Sequence, residues 1–98
     1  MASAWRIEIL PKPRRALNRF RRAYGENAYT EVLHDILVLE DDPIPSGATP
    51  LRGTTDQYRI YTYRSLFRIV YQVISRRRHI FIMRFGPRPP VYSGLDKW

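Results

Sequence analysis

The stretch Tyr58-Arg-Ile-Tyr-Thr-Tyr63, Arg64-Ser-Leu66, Phe67-Arg-Ile-Val-Tyr-Gln-Val-Ile74 decides how this chain folds. Two runs rich in aromatic and β-branched residues, joined by a short link, are the pattern of a β-hairpin. Successive side chains on a strand point to opposite faces. Tyr58, Ile60 and Thr62 therefore share one face, and Arg59, Tyr61 and Tyr63 the other. In the second run Phe67, Ile69, Tyr71 and Val73 oppose Arg68, Val70, Gln72 and Ile74. If Ile60, Ile69, Tyr71 and Val73 enter the core, then Arg59, Tyr61, Tyr63, Arg68 and Gln72 line an open face.

Downstream, Arg76-Arg-Arg78 links this hairpin to a third run, His79 to Phe85, which completes an antiparallel meander. Gly86-Pro-Arg-Pro-Pro90 breaks that strand, and the chain after it, with Arg88 and Tyr92, is placed to fold over the open face. Upstream, Pro43 to Arg52 reads as loop from its Pro, Ser and Gly residues. Before the loop the period becomes helical. Ala16, Leu17, Phe20, Ala23 and Tyr24 form one apolar stripe, entered near Pro13 and closed by Gly25. Asn27 is placed to cap a second helix with the stripe Val32, Leu33, Ile36 and Leu37. The chain opens on a strand, Trp5 to Leu10, with Trp5, Ile7 and Ile9 on one side. The order β-α-α-β-β-β implies an α+β fold, with two amphipathic helices packed on one face of a four-stranded, mainly antiparallel sheet. The other face is left for function.

Composition narrows the function. The 98 residues fit a single domain over 1–98, and 44% hydrophobic with 27% charged residues is a globular balance. With no cysteine there is no disulfide scaffold, thiolate nucleophile or Cys-ligated zinc, and the two histidines are far apart, so no metal or cofactor is expected. The start Met1-Ala-Ser-Ala-Trp5 lacks the features of a secretory signal, and no apolar run approaches a membrane span. These point to a reducing compartment without membrane partners.

The formal charge of +8 is uneven. Met1 to Leu51 is neutral overall, although Lys12, Arg14, Arg15, Arg19, Arg21 and Arg22 form an acid-free basic run within it. Arg52 to Trp98 carries the whole excess, opposed only by Asp56 and Asp96. Fifteen of the seventeen cations are Arg. Solubility is indifferent between Lys and Arg, whereas phosphate recognition favours the planar guanidinium. Basic strands with interleaved Tyr suit single-stranded nucleic acid, which is gripped through phosphates and stacked bases. Arg59 alone is also explained as a solvated strand residue, and Arg68 as an ion pair with Asp56 across the hairpin. Together on one face they call for a polyanion.

The run Tyr58 to Val73 resembles the central hairpin of the RelE/ParE toxin superfamily. It follows a Leu-x-Gly element (Leu51, Arg52, Gly53), and a late Gly-x-Arg (Gly86, Pro87, Arg88) leads to Val91-Tyr92. The resemblance spans about Trp5 to Tyr92. It implies a toxin of a type II toxin–antitoxin system. In the RelE branch such a toxin is a ribosome-dependent mRNA endoribonuclease: a ribose 2′-hydroxyl attacks the adjacent phosphate and translation stops. By position the catalytic residues would be Arg59, Arg68, Arg88 and Tyr92. Arg68 and Arg88 would grip the scissile phosphate, Tyr92 would stack on a base or orient the ribose, and Arg59 would neutralise the backbone. Tyr61, Tyr63, Arg64 and Gln72 would contact the RNA.

One departure bears on chemistry. Where a Lys is common in the family, this chain has Tyr61. Arg stays protonated and is a poor general base, and His34 and His79 fall off the motif positions. Tyr61, Tyr63 and Tyr92 remain as proton-transfer candidates, beside catalysis by electrostatics and positioning alone. The ParE branch, which poisons DNA gyrase without nuclease activity, is the alternative, as is an inactive RNA-binding relative. The resemblance further implies a cognate acidic antitoxin, mRNA and ribosomal RNA as partners, and cytoplasmic action.

Overall fold

Alternating residues place a hairpin at the centre of the sheet. The structure, a computed structural model, describes residues 4–89. It contains β1 (Arg6–Ile9), α1 (Pro11–Tyr24), α2 (Glu26–Leu37), β2 (Thr49–Pro50), β3 (Gln57–Thr62), β4 (Phe67–Ile74) and β5 (His79–Pro87). β3 and β4 pair antiparallel with Gln57 opposite Gln72, Ile60 opposite Ile69 and Tyr61 opposite Arg68. β5 lies antiparallel on the other side of β4.

The four-stranded expectation is corrected in two ways. The sheet has five strands in the order β1-β5-β4-β3-β2, and it is mixed because β1 runs parallel to β5, Arg6 beside His79. The extra strand lies inside the stretch read as loop: Thr49 and Pro50 pair with Arg59 and Tyr58. Two residues are too few to show alternation, and a Pro normally argues against a strand. At a sheet edge its missing N–H costs nothing.

α1 forms because Pro11 and Pro13 preset helical φ in its first turn and Pro13, Leu17 and Phe20 recur on one buried side. Gly25, at φ 93°, ends it, and its N–H donates to the Arg21 carbonyl. The same glycine, rather than Asn27, is the N-cap of α2. A left-handed φ suits glycine, which carries no Cβ to clash. Glu26 then sits at the positive end of α2 and accepts from Arg21 Nε at 2.6 Å, tying the two helices at their corner. Val32 and Ile36 are buried as the periodicity predicts, but Leu37 is 53% exposed. Leu39, in the 3-10 turn Val38–Glu40, takes the core position instead.

Both helices cover one sheet face. Leu17, Phe20, Val32 and Ile36 share a core with Ile60, Ile69, Tyr71, Val73, Ile80, Ile82 and Phe85. The Tyr71 hydroxyl, whose pKa burial pushes well above the ordinary phenol range, donates to the Pro43 carbonyl at 2.7 Å and fastens the incoming loop. Thr62 is equally buried, and its hydroxyl donates to Asp35 Oδ2 at 2.7 Å, joining β3 to α2. Asp35→Ala leaves that hydroxyl unpartnered and is expected to cost about 1–3 kcal/mol. Urea denaturation measures the loss, and the variant Asp35→Asn, which keeps an acceptor, should recover most of it.

The register slips once. Ile69 faces Phe85, Val70 faces Arg84, yet Tyr71 faces Ile82, so Met83 is an extra residue on β5. This β-bulge switches the parity of the strand. Before it Ile80 and Ile82 point to the helices, and after it Phe85 does, although two residues separate Ile82 from Phe85.

Candidate nucleic-acid interface

The register lays out the face away from the helices in rows. Val70 is flanked by Arg59 on β3 and Arg84 on β5. The next row holds Arg68, flanked by Tyr61 and Gly86. Directly opposed residues on neighbouring strands have Cβ atoms about 5 Å apart, so the register alone forces this clustering.

Arg68 is the unusual member. Its side chain is only 1% exposed, whereas Arg84 and Arg88 are exposed. Its pKa is pushed down to about 10, first by burial, then by the charge of Arg59 and, more weakly, of Arg84; Tyr61 opposes the shift. The residue stays cationic at neutral pH. A cation held among like charges gains more from an incoming phosphate than a solvated one does, because part of its hydration is already lost.

Tyr61 organises the rest. The Arg59 guanidinium lies 4.7 Å from its ring centroid and that of Arg88 4.1 Å, both within cation–π range. Arg88 is held from behind as well, its backbone N–H donating to the Leu66 carbonyl at 2.9 Å across the end of the hairpin. That end is a turn with three successive non-glycine residues in the left-handed region: Tyr63 (φ 47°), Arg64 (φ 59°) and Ser65 (φ 62°). Each costs about 1 kcal/mol or more in isolation, so the turn persists through what it packs on.

Of the residues singled out from the sequence, Arg59, Tyr61, Arg68 and Arg88 come together. Tyr63 does not. The left-handed turn swings it off the strand alternation, and its ring meets Phe20 edge-on at 5.4 Å and Tyr24 at 5.6 Å on the helix side. Arg64 is exposed in the turn, its guanidinium 5.3 Å from the Tyr63 ring. Gln72 is on the expected face but donates to Asp56 Oδ2 at 3.0 Å, toward the far end of the hairpin. Tyr92 lies outside the described residues. Arg84 was not anticipated: counted on from Ile80 and Ile82 without a bulge, it shares their parity and would face the helices. Nothing in the residue string announces the extra Met83.

Neither histidine serves this cluster. His34 is exposed on α2, its Nδ1 3.9 Å from Asp35. His79 pairs with Ile74, six residues along β4 from Arg68, or about 20 Å of strand. There it stacks on Phe81 at 4.2 Å, and its Nε2 lies 3.4 Å from Glu8. Among the described residues no group of three His, Cys, Asp or Glu side chains could hold a metal ion, and no helix is long and apolar enough to cross a membrane. The cluster can therefore bind a phosphodiester, place a base against Tyr61 and stabilise added negative charge.

No family model matches the sequence, and no curated protein matches it. Solved structures do. The isolated RelE toxin of E. coli in a P21 crystal form is 29% identical with a TM-score of 0.66, over 93% of this chain and 94% of that one. An arginine double mutant of E. coli RelE in complex with an antitoxin RelB peptide is 27% identical, TM-score 0.68, over 96% of both chains. The archaeal RelE–RelB complex from Pyrococcus horikoshii OT3 shares the fold at 23% identity, TM-score 0.67, over 86% of this chain and 94% of its counterpart.

Proposed function

We propose, from the premise that this is a RelE-like chain of the RelE/ParE toxin superfamily, that it is the toxin of a type II toxin–antitoxin system, a single domain over 1–98, and that it cleaves mRNA on the ribosome in the cytoplasm. The observation that carries this reading is the grouping of Arg59, Arg68 and Arg88 around Tyr61, with Arg68 buried among them. A cognate acidic antitoxin is its natural partner. Neighbours of this fold include toxin–antitoxin complexes, and a charge of +8 favours fast, salt-sensitive association with an acidic chain.

In this reaction the 2′-hydroxyl oxygen bonds to phosphorus and gives up its proton, the P–O5′ bond breaks, and the leaving oxygen takes up a proton. The products are a 2′,3′-cyclic phosphate and a 5′-hydroxyl. Arg68 and Arg88 stabilise the charge added to the phosphorane, where preorganised cations outperform water. Tyr61, fixed by the two flanking guanidiniums, gives the adjacent base or ribose a wall, and holding the 2′-oxygen in line with the leaving oxygen supplies much of the rate. With both histidines elsewhere, proton transfer falls to tyrosine hydroxyls, water or the ribosome.

Primer extension on a reporter mRNA in a translating extract tests the proposal. The wild type should cut only translated message and leave 5′-hydroxyl ends. Arg88→Ala should lower the rate by about 100-fold through loss of one charge-assisted contact. Intact message with unhindered translation overturns the nuclease reading, and gyrase-linked DNA breaks in its place identify the ParE-like activity.

A further inference from the structure

β1 stops pairing at Ile82, and beyond that point β5 borders α1. Between them lies a half-open groove of about 480 Å³. Pro13 and Ala16 of α1 and Met83 of β5 give it apolar walls; Lys12, Arg19 and Arg84 bring three exposed cations to its rim. The volume falls within the range of small-ligand sites. Two features exist only because of the bulge. Met83 is the extra residue, and Arg84, placed after it, opposes Val70 in the row next to Arg68 while also lining the groove. One side chain thus belongs to both the arginine face and the groove.

We infer that this groove is a binding subsite for one further nucleotide of the single-stranded RNA held on the arginine face. Its phosphate would be gripped by Arg84, Arg19 and Lys12, and its base would lie against Pro13, Ala16 and Met83. The inference rests on the RNA-cleaving reading above and extends it from the scissile phosphate to a flanking one. Charge and shape favour RNA over an acidic peptide. Three cations around an apolar slot match the alternation of phosphate and base in a single strand, and Arg84 stands in the row next to Arg68 while lining the groove.

Binding of 2′-O-methyl oligoribonucleotides, which lack the attacking hydroxyl, tests the subsite separately from catalysis. A tetranucleotide and an octanucleotide are titrated by fluorescence anisotropy across a salt series with the full chain, wild type and the surface variants Arg19→Ala and Lys12→Ala, whose side chains line the groove alone. The expected result is that each variant weakens the octanucleotide about tenfold, lowers its log–log salt slope by about 0.7, and leaves the tetranucleotide within about twofold. Equal losses for both lengths, or none for either, overturn the subsite while wild-type message cleavage leaves the proposed function standing. Failure of the wild type to bind either RNA also overturns the subsite, and cleavage of translated message decides the proposed function separately. Unchanged octanucleotide binding with loss of a fluorescent oligoglutamate peptide assigns the groove to protein and overturns the RNA subsite.

Discussion

Arg68→Met is expected to abolish cleavage and to make the protein more stable. The two effects share one cause. Arg68 is charged, almost completely buried, and pushed down to about 10 by burial and by Arg59 and Arg84. A cation whose folded pKa lies below its unfolded value is destabilising at every pH where both states are protonated. Lowered from its ordinary range to about 10 by burial among like charges, Arg68 therefore costs the fold stability at neutral pH. Met keeps much of the aliphatic stem and removes the charge, so a gain of about 1–2 kcal/mol in urea denaturation at pH 7 is expected. Above pH 10 the unfolded wild type binds more protons than the folded one, so its stability recovers as pH rises. The advantage of Arg68→Met should therefore be constant below pH 10 and shrink above it. Cleavage should fall by about 100- to 1,000-fold, the usual loss when one preorganised donor to a developing oxyanion is removed. A variant that is less stable at neutral pH, or that still cuts, contradicts the assignment.

Phe20→Ala carries the largest expected cost in stability. Phe20 is 4% exposed and sits among four other rings: Tyr24 stacked at 4.7 Å, and Tyr63, Phe67 and Phe85 edge-on at 5.4, 4.9 and 5.3 Å. Truncating a buried Phe costs about 3–5 kcal/mol, comparable to the whole stability of a marginal domain of this size. The melting temperature should drop by roughly 15 °C or more. The damage also reaches the site, because Tyr63 belongs to the strained turn and Leu66 in that turn accepts from Arg88. Phe20→Leu, which preserves most of the volume, should retain the fold but loosen the turn. Its cleavage rate should fall more than its melting temperature suggests.

What could be read without coordinates follows from which physical signals are periodic. The β3–β4 hairpin, both helices and the shared face of Arg59, Tyr61 and Arg68 were legible because strict alternation fixes faces. The misplaced residues all sit where periodicity is interrupted. Tyr63 lies in the left-handed turn, one residue past β3. Arg84 follows the bulge. Thr49–Pro50 is too short to have a period, and the edge that β1 takes follows from how the chain crosses behind the sheet. Gln72 was placed on the correct face, but its hydrogen bond to Asp56 depends on where the preceding loop rejoins β3. Burial of Arg68 was also hidden, since residue type argues for exposure and only the crowding of long neighbours on one face overrides it.

The parallel pairing of β1 with β5 has a consequence in time. The earliest strand to be synthesised must wait for the last before it finds its place, since Arg6 lies beside His79 and Ile9 beside Ile82. Such distant contacts make folding slow. Arg84 and Arg88 arrive with or after β5, so the arginine cluster cannot assemble before that strand has been made. Sheet closure and assembly of the basic face are thereby a single late event in folding rather than two successive ones.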